Sequence, residues 1–154
     1  MYGGQPAPEK DFFAPSNMVD YFLLNHTADI GITVFGADLD HLYKNAGYAM
    51  FDLIVQANAA GIQDVFKVTA EGEDWPDLMV AWLRELLYLW SGKEQIVNAI
   101  SIVTSPYTVS ADIRCTPFDA SRHSVRHDIK AVTYHRISVE QTAGGWKSTI
   151  IFDV

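Results

Sequence analysis

Two stretches of helical periodicity, set among segments with strand character, constrain the fold of this chain most strongly. The second stretch carries an apolar stripe at spacings of three and four residues: Met79, Trp82, Leu83, Leu86, Leu87 and Trp90. This spacing is typical of an amphipathic helix, and two indoles on one stripe indicate packing against a sheet. Asp74 suits the N-cap, and Pro76 suits the first turn, where a missing N–H does no harm.

The first helical stretch runs from 39 to about 55, with Asp38 as its N-cap. Runs of β-branched and aromatic residues predict strands at 19–24, 30–35, 65–70, 97–104, 107–115, 129–139 and 146–153. This order predicts an α+β two-layer sandwich, in which the two helices cover one largely antiparallel mixed β-sheet. Residues 1–17, rich in proline and glycine, are interpreted as a mobile N-terminal arm, and 18–154 as a single domain.

Composition limits the classes of function. The chain has 154 residues and a net charge of −8, so it lacks the basic footprint of a protein that binds nucleic acid alone. Its one cysteine, Cys115, excludes an internal disulfide and a cysteine-rich zinc site. No apolar run is long enough to span a bilayer, and no signal-peptide pattern opens the chain, so we expect a cytoplasmic protein.

The cysteine and two of the histidines, residue types that often act in catalysis or bind metals, lie in sequence contexts that do not favour either role. Cys115 lies in or at the end of a predicted strand and is interpreted as a buried structural thiol. His123 and His127 are four residues apart in a polar loop, 119–128, and would chelate a metal only if that loop were helical. The sequence has no nucleotide-binding glycine loop, no GxSxG motif and no HExxH motif.

The end of the chain is a stronger signal. An apolar run, residues 149–152, continues directly into Asp153 and Val154. A terminus that stays hydrophobic indicates a strand held in a sheet, because free termini usually fray. Its tip carries two anionic groups one residue apart, the Asp153 side chain and the terminal carboxylate. Their repulsion costs stability unless both face water or a cation lies between them.

Two further residues have competing interpretations. Asp29 lies between a polar turn and a strand, and Gly31 behind it permits close backbone approach. It is either a turn cap that accepts backbone N–H groups or a functional acid. Lys130 begins the predicted strand 129–139, where it shares a face with Val132 and Tyr134. It is either an edge lysine with its ammonium in water or a functional cation.

Four separated motifs make the chain recognisable. HTADIGITVFG, DLMVAWLRELLYL, IKAVTYH and the ending IIFDV occur in the order seen in the archease family, which the chain resembles from about Tyr21 to Val154. The resemblance implies a divalent cation, calcium first with magnesium or manganese as alternatives, bound by Asp29, Asp153 and Val154. It also implies that Lys130 is functionally important, while His26 either orients Asp29 or is a packed or capping histidine.

Archeases are small accessory proteins that act on RtcB-type RNA ligases in tRNA splicing and RNA repair. The resemblance therefore implies a non-enzymatic activator that promotes guanylylation of the ligase with GTP and its multiple turnover. The implied partner is the ligase, with no direct contact to nucleic acid or membrane. One alternative is a chaperone-like modulator of a tRNA-modifying enzyme such as a methyltransferase. Another is a small metal-dependent hydrolase, although the sequence shows no partnered general base or nucleophile.

Overall fold

The computed structural model describes residues 20–24, 29–57, 61 and 63–154, so the predicted arm lies outside the described residues. The α+β class is confirmed. The described elements are β1 (Tyr21–Leu24), β2 (Asp29–Gly36), α1 (Leu39–Ile54), β3 (Val55–Gln56), β4 (Asp64–Glu71), α2 (Trp75–Ser91), β5 (Gln95–Ser105), β6 (Thr108–Pro117), β7 (Ser124–Val125), β8 (Ala131–Val132), β9 (Ser138–Thr142) and β10 (Gly145–Asp153).

The described strands form two larger sheets and a two-stranded ribbon, instead of the single sheet that the sequence predicted. In the five-stranded sheet, β2 and β10 are central, β1 lies beside β2, and β9 and β8 pair with successive parts of β10. In the three-stranded sheet, β6 lies between β4 and β5. The unpredicted ribbon is β3 with β7. All these pairings are antiparallel.

Both helices begin where the sequence predicted. The Asp38 side chain accepts a hydrogen bond from the backbone N–H of His41 at 2.8 Å, and Asp74 accepts one from Asp77 at 2.9 Å. These N-caps satisfy backbone donors that have no partner inside the helix. Neither described helix is long and apolar enough to cross a membrane.

The first helix explains why the sheet is divided. Nearly every face of α1 is buried, and the helix contacts β2 and β10 of one sheet and β5 of the other. A helix that is apolar on most sides requires apolar partners on more than one side. Its Tyr48 hydroxyl accepts a hydrogen bond from the N–H of Ile100 at 2.9 Å, which ties α1 to β5. Trp82 of α2 donates its indole N–H to the carbonyl of Tyr43 at 2.8 Å, which joins the two helices.

The predicted strand 129–139 is wrong over much of its length. Only β8 and the start of β9 are strands there, and residues 133–137 form a turn in which the N–H of Ile137 donates to the carbonyl of Tyr134 at 3.2 Å. Arg136 has a φ of 56°, a left-handed conformation that interrupts an extended chain. The predicted alternation of Lys130, Val132 and Tyr134 on one face therefore fails, and Lys130 lies just before β8 and is exposed.

Candidate metal centre and the adjoining turn

The terminal strand β10 holds the hydrophobic end of the chain inside the sheet, as the sequence predicted. β2 pairs with residues 146–153 of β10 on one side, while β9 and then β8 pair with it on the other. Ile150, Ile151 and Phe152 have no exposed surface. Asp153 follows directly and is exposed. Its backbone is thus fixed by neighbouring strands on both sides at the edge of a buried layer.

Asp29, the first residue of β2, lies directly opposite Asp153 in the antiparallel pairing of β2 with β10. Residues directly opposite each other across such a pair have Cβ atoms about 4.5–5.5 Å apart on the same face of the sheet. The fold therefore brings together two carboxylates from opposite ends of the sequence. Ala131 is the partner of Asp153 on its other side, so a small side chain adjoins the acidic pair.

This acidic pair lacks an internal counter-charge within the described part of the chain. Neither Asp29 nor Asp153 has a side-chain hydrogen bond or ion pair with any described residue. Like charges directly opposite each other in a sheet are destabilising, and a cation between them removes that cost. Oxygen-only ligands of this kind suit a hard divalent cation. The residues present therefore fit such an ion.

Within the described part of the chain, the candidates for a third protein ligand are backbone groups and the carboxylate of Val154. Among the described residues, no three His, Cys, Asp or Glu side chains lie close enough to hold a metal. The carboxylate of Val154, whose residue is 38% exposed, comes one residue after Asp153. His26, which the sequence suggested as the residue that orients Asp29, lies outside the described residues.

Lys130 adjoins the acidic pair through the backbone. Its N–H donates to the carbonyl of Asp153 at 2.8 Å, and Ala131, the next residue, is the pairing partner of Asp153. The Lys130 side chain is exposed and forms no ion pair with a described residue. The fold thus places Asp29, Asp153, Val154 and Lys130 at one end of the five-stranded sheet, where β10 finishes and β2 begins.

Comparison with known proteins settles the family. The model of the Archease protein family matches residues 21–154, which is nearly all of the chain. The chain belongs to the archease family. Protein archease of Methanosarcina mazei is 32% identical over 145 residues, covering 91% of this chain and 99% of that protein. Protein archease of Archaeoglobus fulgidus is 32% identical over 135 residues, covering 87% of this chain and 98% of that protein.

Similarity extends to a eukaryotic relative and to a solved structure. Protein archease-like of Drosophila melanogaster is 27% identical over 151 residues, covering 94% of this chain and 96% of that protein. The solution structure of Methanobacterium thermoautotrophicum protein 1598 matches with a TM-score of 0.68 and 23% identity, covering 87% of this chain and 98% of that one. At this identity the structural match supports the fold of this archease-family chain and no more.

The sequence does not indicate a contact network that holds the 133–137 turn against α2. The Tyr134 hydroxyl donates to Asp77 at 2.8 Å, and the Arg84 guanidinium lies 5.0 Å from the centre of the Tyr134 ring. Arg84 also donates from Nε and Nη2 to the carbonyl of Val132, at 3.3 and 3.1 Å. Asp77 lies three positions after the N-cap Asp74, where an acidic side chain often caps the start of a helix. Nothing in the sequence indicates that Asp77 also contacts Tyr134.

Electrostatics support the same network. Hydrogen bonds from the Glu73 N–H and then from the Tyr134 hydroxyl lower the pKa of Asp77. The hydrogen bond to Asp77 in turn raises the pKa of Tyr134. With the pKa of Asp77 lowered and that of Tyr134 raised, Asp77 is an ionised carboxylate that accepts a hydrogen bond from a neutral phenol. The turn is therefore connected to α2 by a charge-assisted hydrogen bond at neutral pH.

The histidine pair of the polar loop does not form a metal site. The loop 119–128 is not helical: residues 119–123 form a turn, and β7 follows at once. His123 is buried, and its Nδ1 accepts from the N–H of Asp119 at 3.0 Å, whereas His127 is exposed. The His123 ring instead packs on Phe118, with centroids 5.9 Å apart, beside a cavity of about 640 Å³.

Cys115 is the buried thiol that the sequence predicted. It has no exposed surface, and burial, followed by the nearby charge of Asp64, raises its pKa to about 12. The thiolate is the reactive form, so the folded protein should react with a thiol reagent such as DTNB at pH 7.5 at least a hundredfold more slowly than the protein in urea. Rapid stoichiometric labelling of the folded chain would contradict this assignment.

Proposed function

We propose that this archease-family chain is a non-enzymatic accessory protein that activates an RtcB-type RNA ligase. In this proposal it promotes guanylylation of the ligase with GTP and permits multiple turnover during tRNA splicing and RNA repair in the cytoplasm. Family membership supports an accessory role of this kind. The acidic balance of the chain is consistent with nucleotide and RNA sites that belong to the partner, because an RNA-binding protein needs basic phosphate contacts.

One observation carries the proposal: the register of β2 with β10 places Asp29 opposite Asp153 at the end of the sheet where Lys130 also lies. Three functional groups that are far apart in sequence thereby lie together at one end of the sheet. That end can hold a cation and contact a second protein at the same place. The backbone pairing fixes this arrangement before a partner arrives, which lowers the entropic cost of binding.

We propose calcium as the bound cation, with magnesium or manganese as alternatives. Calcium accepts an irregular set of oxygen ligands at about 2.3–2.6 Å, whereas magnesium requires near-ideal octahedral geometry at about 2.0–2.1 Å. Asp29, Asp153 and the carboxylate of Val154 would hold the ion, and waters or groups of the partner would complete its shell. When bound, the ion would supply positive charge that orders this end of the sheet or attracts an anionic group of the partner.

Lys130 is proposed to contact the ligase or a phosphate bound to it. The sequence left open whether this lysine pairs with a nearby acid or contacts a partner. Within the described residues its ammonium forms no ion pair, which favours the partner contact. Its backbone is fixed by the hydrogen bond to Asp153, so the long side chain extends from a defined point.

The test is the rate of ligase–GMP formation. A cognate RtcB-type ligase is incubated with GTP and divalent metal, with and without a tenth of an equivalent of this chain. We expect the chain to raise the initial rate and to let each ligase molecule complete several ligations, because an accessory protein acts without being consumed.

An unchanged rate, with the chain folded and the ligase competent, would contradict the proposed function. Stimulation of a tRNA methyltransferase in place of the ligase would favour the chaperone-like alternative. Hydrolysis of GTP or RNA by the chain alone would favour a metal-dependent hydrolase. Each outcome is read from the same protein preparation, which makes the three functions directly comparable.

A further inference from the structure

We propose that Tyr134, His135 and Arg136, with Lys130 beside them, form a preorganised docking surface for an acidic patch on the partner protein. This inference rests on the proposed function for the identity of the partner and adds where and by what chemistry that partner binds. The surface is the exposed side of the 133–137 turn. β8 separates Lys130 from the turn by only two residues, about 7–10 Å of extended chain.

The turn is held by contacts on several sides, although the side chains of Tyr134, His135 and Arg136 are exposed. Thr133 donates from its N–H and its hydroxyl to the carbonyl of Ile151, at 3.1 and 2.9 Å. Tyr134 is held by Asp77 and by the Arg84 guanidinium, yet its residue is 53% exposed. An exposed tyrosine with few free rotamers provides contact area at a low entropic cost, as at many protein interfaces.

Arg136 is the residue that the fold alone does not explain. Its φ of 56° belongs to the left-handed region, where glycine fits without strain and side chains are disfavoured. Its side chain is exposed and has no hydrogen bond or ion pair within the described part of the chain. An exposed arginine at a strained position points to a role outside the chain, since strain of this kind is concentrated at functional sites.

Charge identifies the partner surface. The sequence from Ile129 to Val139 contains Lys130, His135 and Arg136 but no acidic residue, in a chain whose net charge is −8. The acids nearby in space are Asp77, which accepts from the Tyr134 hydroxyl, and the acidic pair beside Lys130, which is the proposed cation site. A local cationic surface on an acidic protein complements carboxylates on a partner protein and sets the docking orientation. An RNA partner fits less well, because RNA binding requires many phosphate contacts and the rest of the chain repels phosphates.

The decisive variant is Arg136→Gly, because it removes the cation while relieving the backbone strain. We expect its melting temperature to equal or exceed that of the wild-type chain. We expect its Kd for the cognate ligase, measured by calorimetry with the full-length proteins, to rise roughly threefold to tenfold at low salt. The difference should shrink in 1 M salt, where the Debye length is only about 3 Å.

Two matched controls separate charge at this surface from general effects. Glu94 is the other described non-glycine residue with positive φ, at 54°, so Glu94→Gly gives the same backbone change without removing a cation. Lys67 is an exposed cation of the other sheet, so Lys67→Gln removes a charge elsewhere. Both should leave the Kd within about twofold of wild type, as expected for sites away from the interface.

The outcomes separate this inference from the proposed function. A higher Kd for Arg136→Gly alone supports the docking surface, even if the wild-type chain fails to accelerate guanylylation. An unchanged Kd for Arg136→Gly overturns the docking surface, even if guanylylation is accelerated. No binding of the wild-type chain to the ligase, or binding of the free chain to RNA that depends on Arg136, also overturns it.

Discussion

Replacing Asp153 with asparagine is expected to lower the affinity of the chain for calcium roughly a hundredfold, equivalent to about 2.7 kcal/mol. Calcium affinity depends strongly on the number of charged ligands, and Asp153 is one of two carboxylates that face each other across β2 and β10. Asp29→Asn should have an effect of similar size. Titration calorimetry on the free chain measures both affinities without the ligase.

Thermal unfolding gives a second measurement of the same site. A ligand that binds only the folded state at a hundred times its Kd stabilises the protein by about 2.7 kcal/mol. The wild-type chain should therefore melt at a higher temperature in calcium, and Asp153→Asn should not. Without calcium the variant should be as stable as wild type or slightly more stable, because one of two opposed negative charges has been removed.

Glu140→Gln is the matched control for this prediction. Glu140 is an exposed acid in β9 of the same sheet, so the variant changes the net charge equally away from the acidic pair. Its calcium affinity should stay within about twofold of wild type, because exposed charges farther away than a Debye length are screened. A short C-terminal extension, which replaces the carboxylate of Val154 by an amide, should weaken binding. Equal affinity in all of these proteins would refute the site.

Replacing Trp82 with alanine is expected to destabilise the fold by about 4 kcal/mol. Trp82 has no exposed surface and lies in the contact between α2 and α1. Its loss leaves a large cavity and removes the hydrogen bond to the carbonyl of Tyr43. Domains of this size are stable by about 5–15 kcal/mol, so the loss is a large share of the total. The urea midpoint of unfolding, followed by circular dichroism, measures the effect.

Tyr88→Ala provides the comparison on the same helix. Tyr88 is 56% exposed and its ring lies near the Lys93 ammonium, 5.9 Å from it, so truncation removes little buried surface. We expect a loss below about 1 kcal/mol, which is typical of substitutions at the surface. If Trp82→Ala and Tyr88→Ala cost the same, the assignment of Trp82 to the centre of the core would be wrong.

The helices could be predicted from the sequence because their signals are local. Asp38 and Asp74 are caps next to the helices they begin, and the stripe that includes Trp82 and Leu86 needs only one helix to be recognised. The α+β class follows from the order of such elements. The division into two sheets could not be predicted, because it depends on which strand pairs with which across the whole chain, as β10 does with β2.

The false strand at 129–139 shows where local patterns mislead. Its β-branched and aromatic residues have strand propensity, but Tyr134 is held by Asp77 of α2 and Arg136 adopts a left-handed conformation. Tertiary contacts override propensity in short segments. Nothing near Tyr134 in the sequence identifies Asp77, which is 57 positions earlier, as its partner. The contact between Tyr134 and Asp77 could therefore be identified only from the folded structure.

The candidate site was predicted in part. The apolar ending at Asp153 indicated a strand tip with two negative charges, but the residues alone left water and a cation as alternatives. For Asp29 the local sequence favoured a turn cap over a functional acid, and only the family resemblance joined it to Asp153. The structure adds the register that places Asp29 opposite Asp153 and the backbone bond from Lys130. Register depends on pairing over the full strand, so no local motif encodes it.

The most direct test of the account is the guanylylation rate of a cognate RtcB-type ligase with wild-type chain, Asp153→Asn and Glu140→Gln, all at a tenth of an equivalent and a fixed concentration of divalent metal. We expect wild type and Glu140→Gln to accelerate the formation of ligase–GMP equally, and Asp153→Asn, although folded, to do so at least tenfold less. Full acceleration by Asp153→Asn would contradict the proposed link between the acidic pair of β2 and β10 and activation of the ligase.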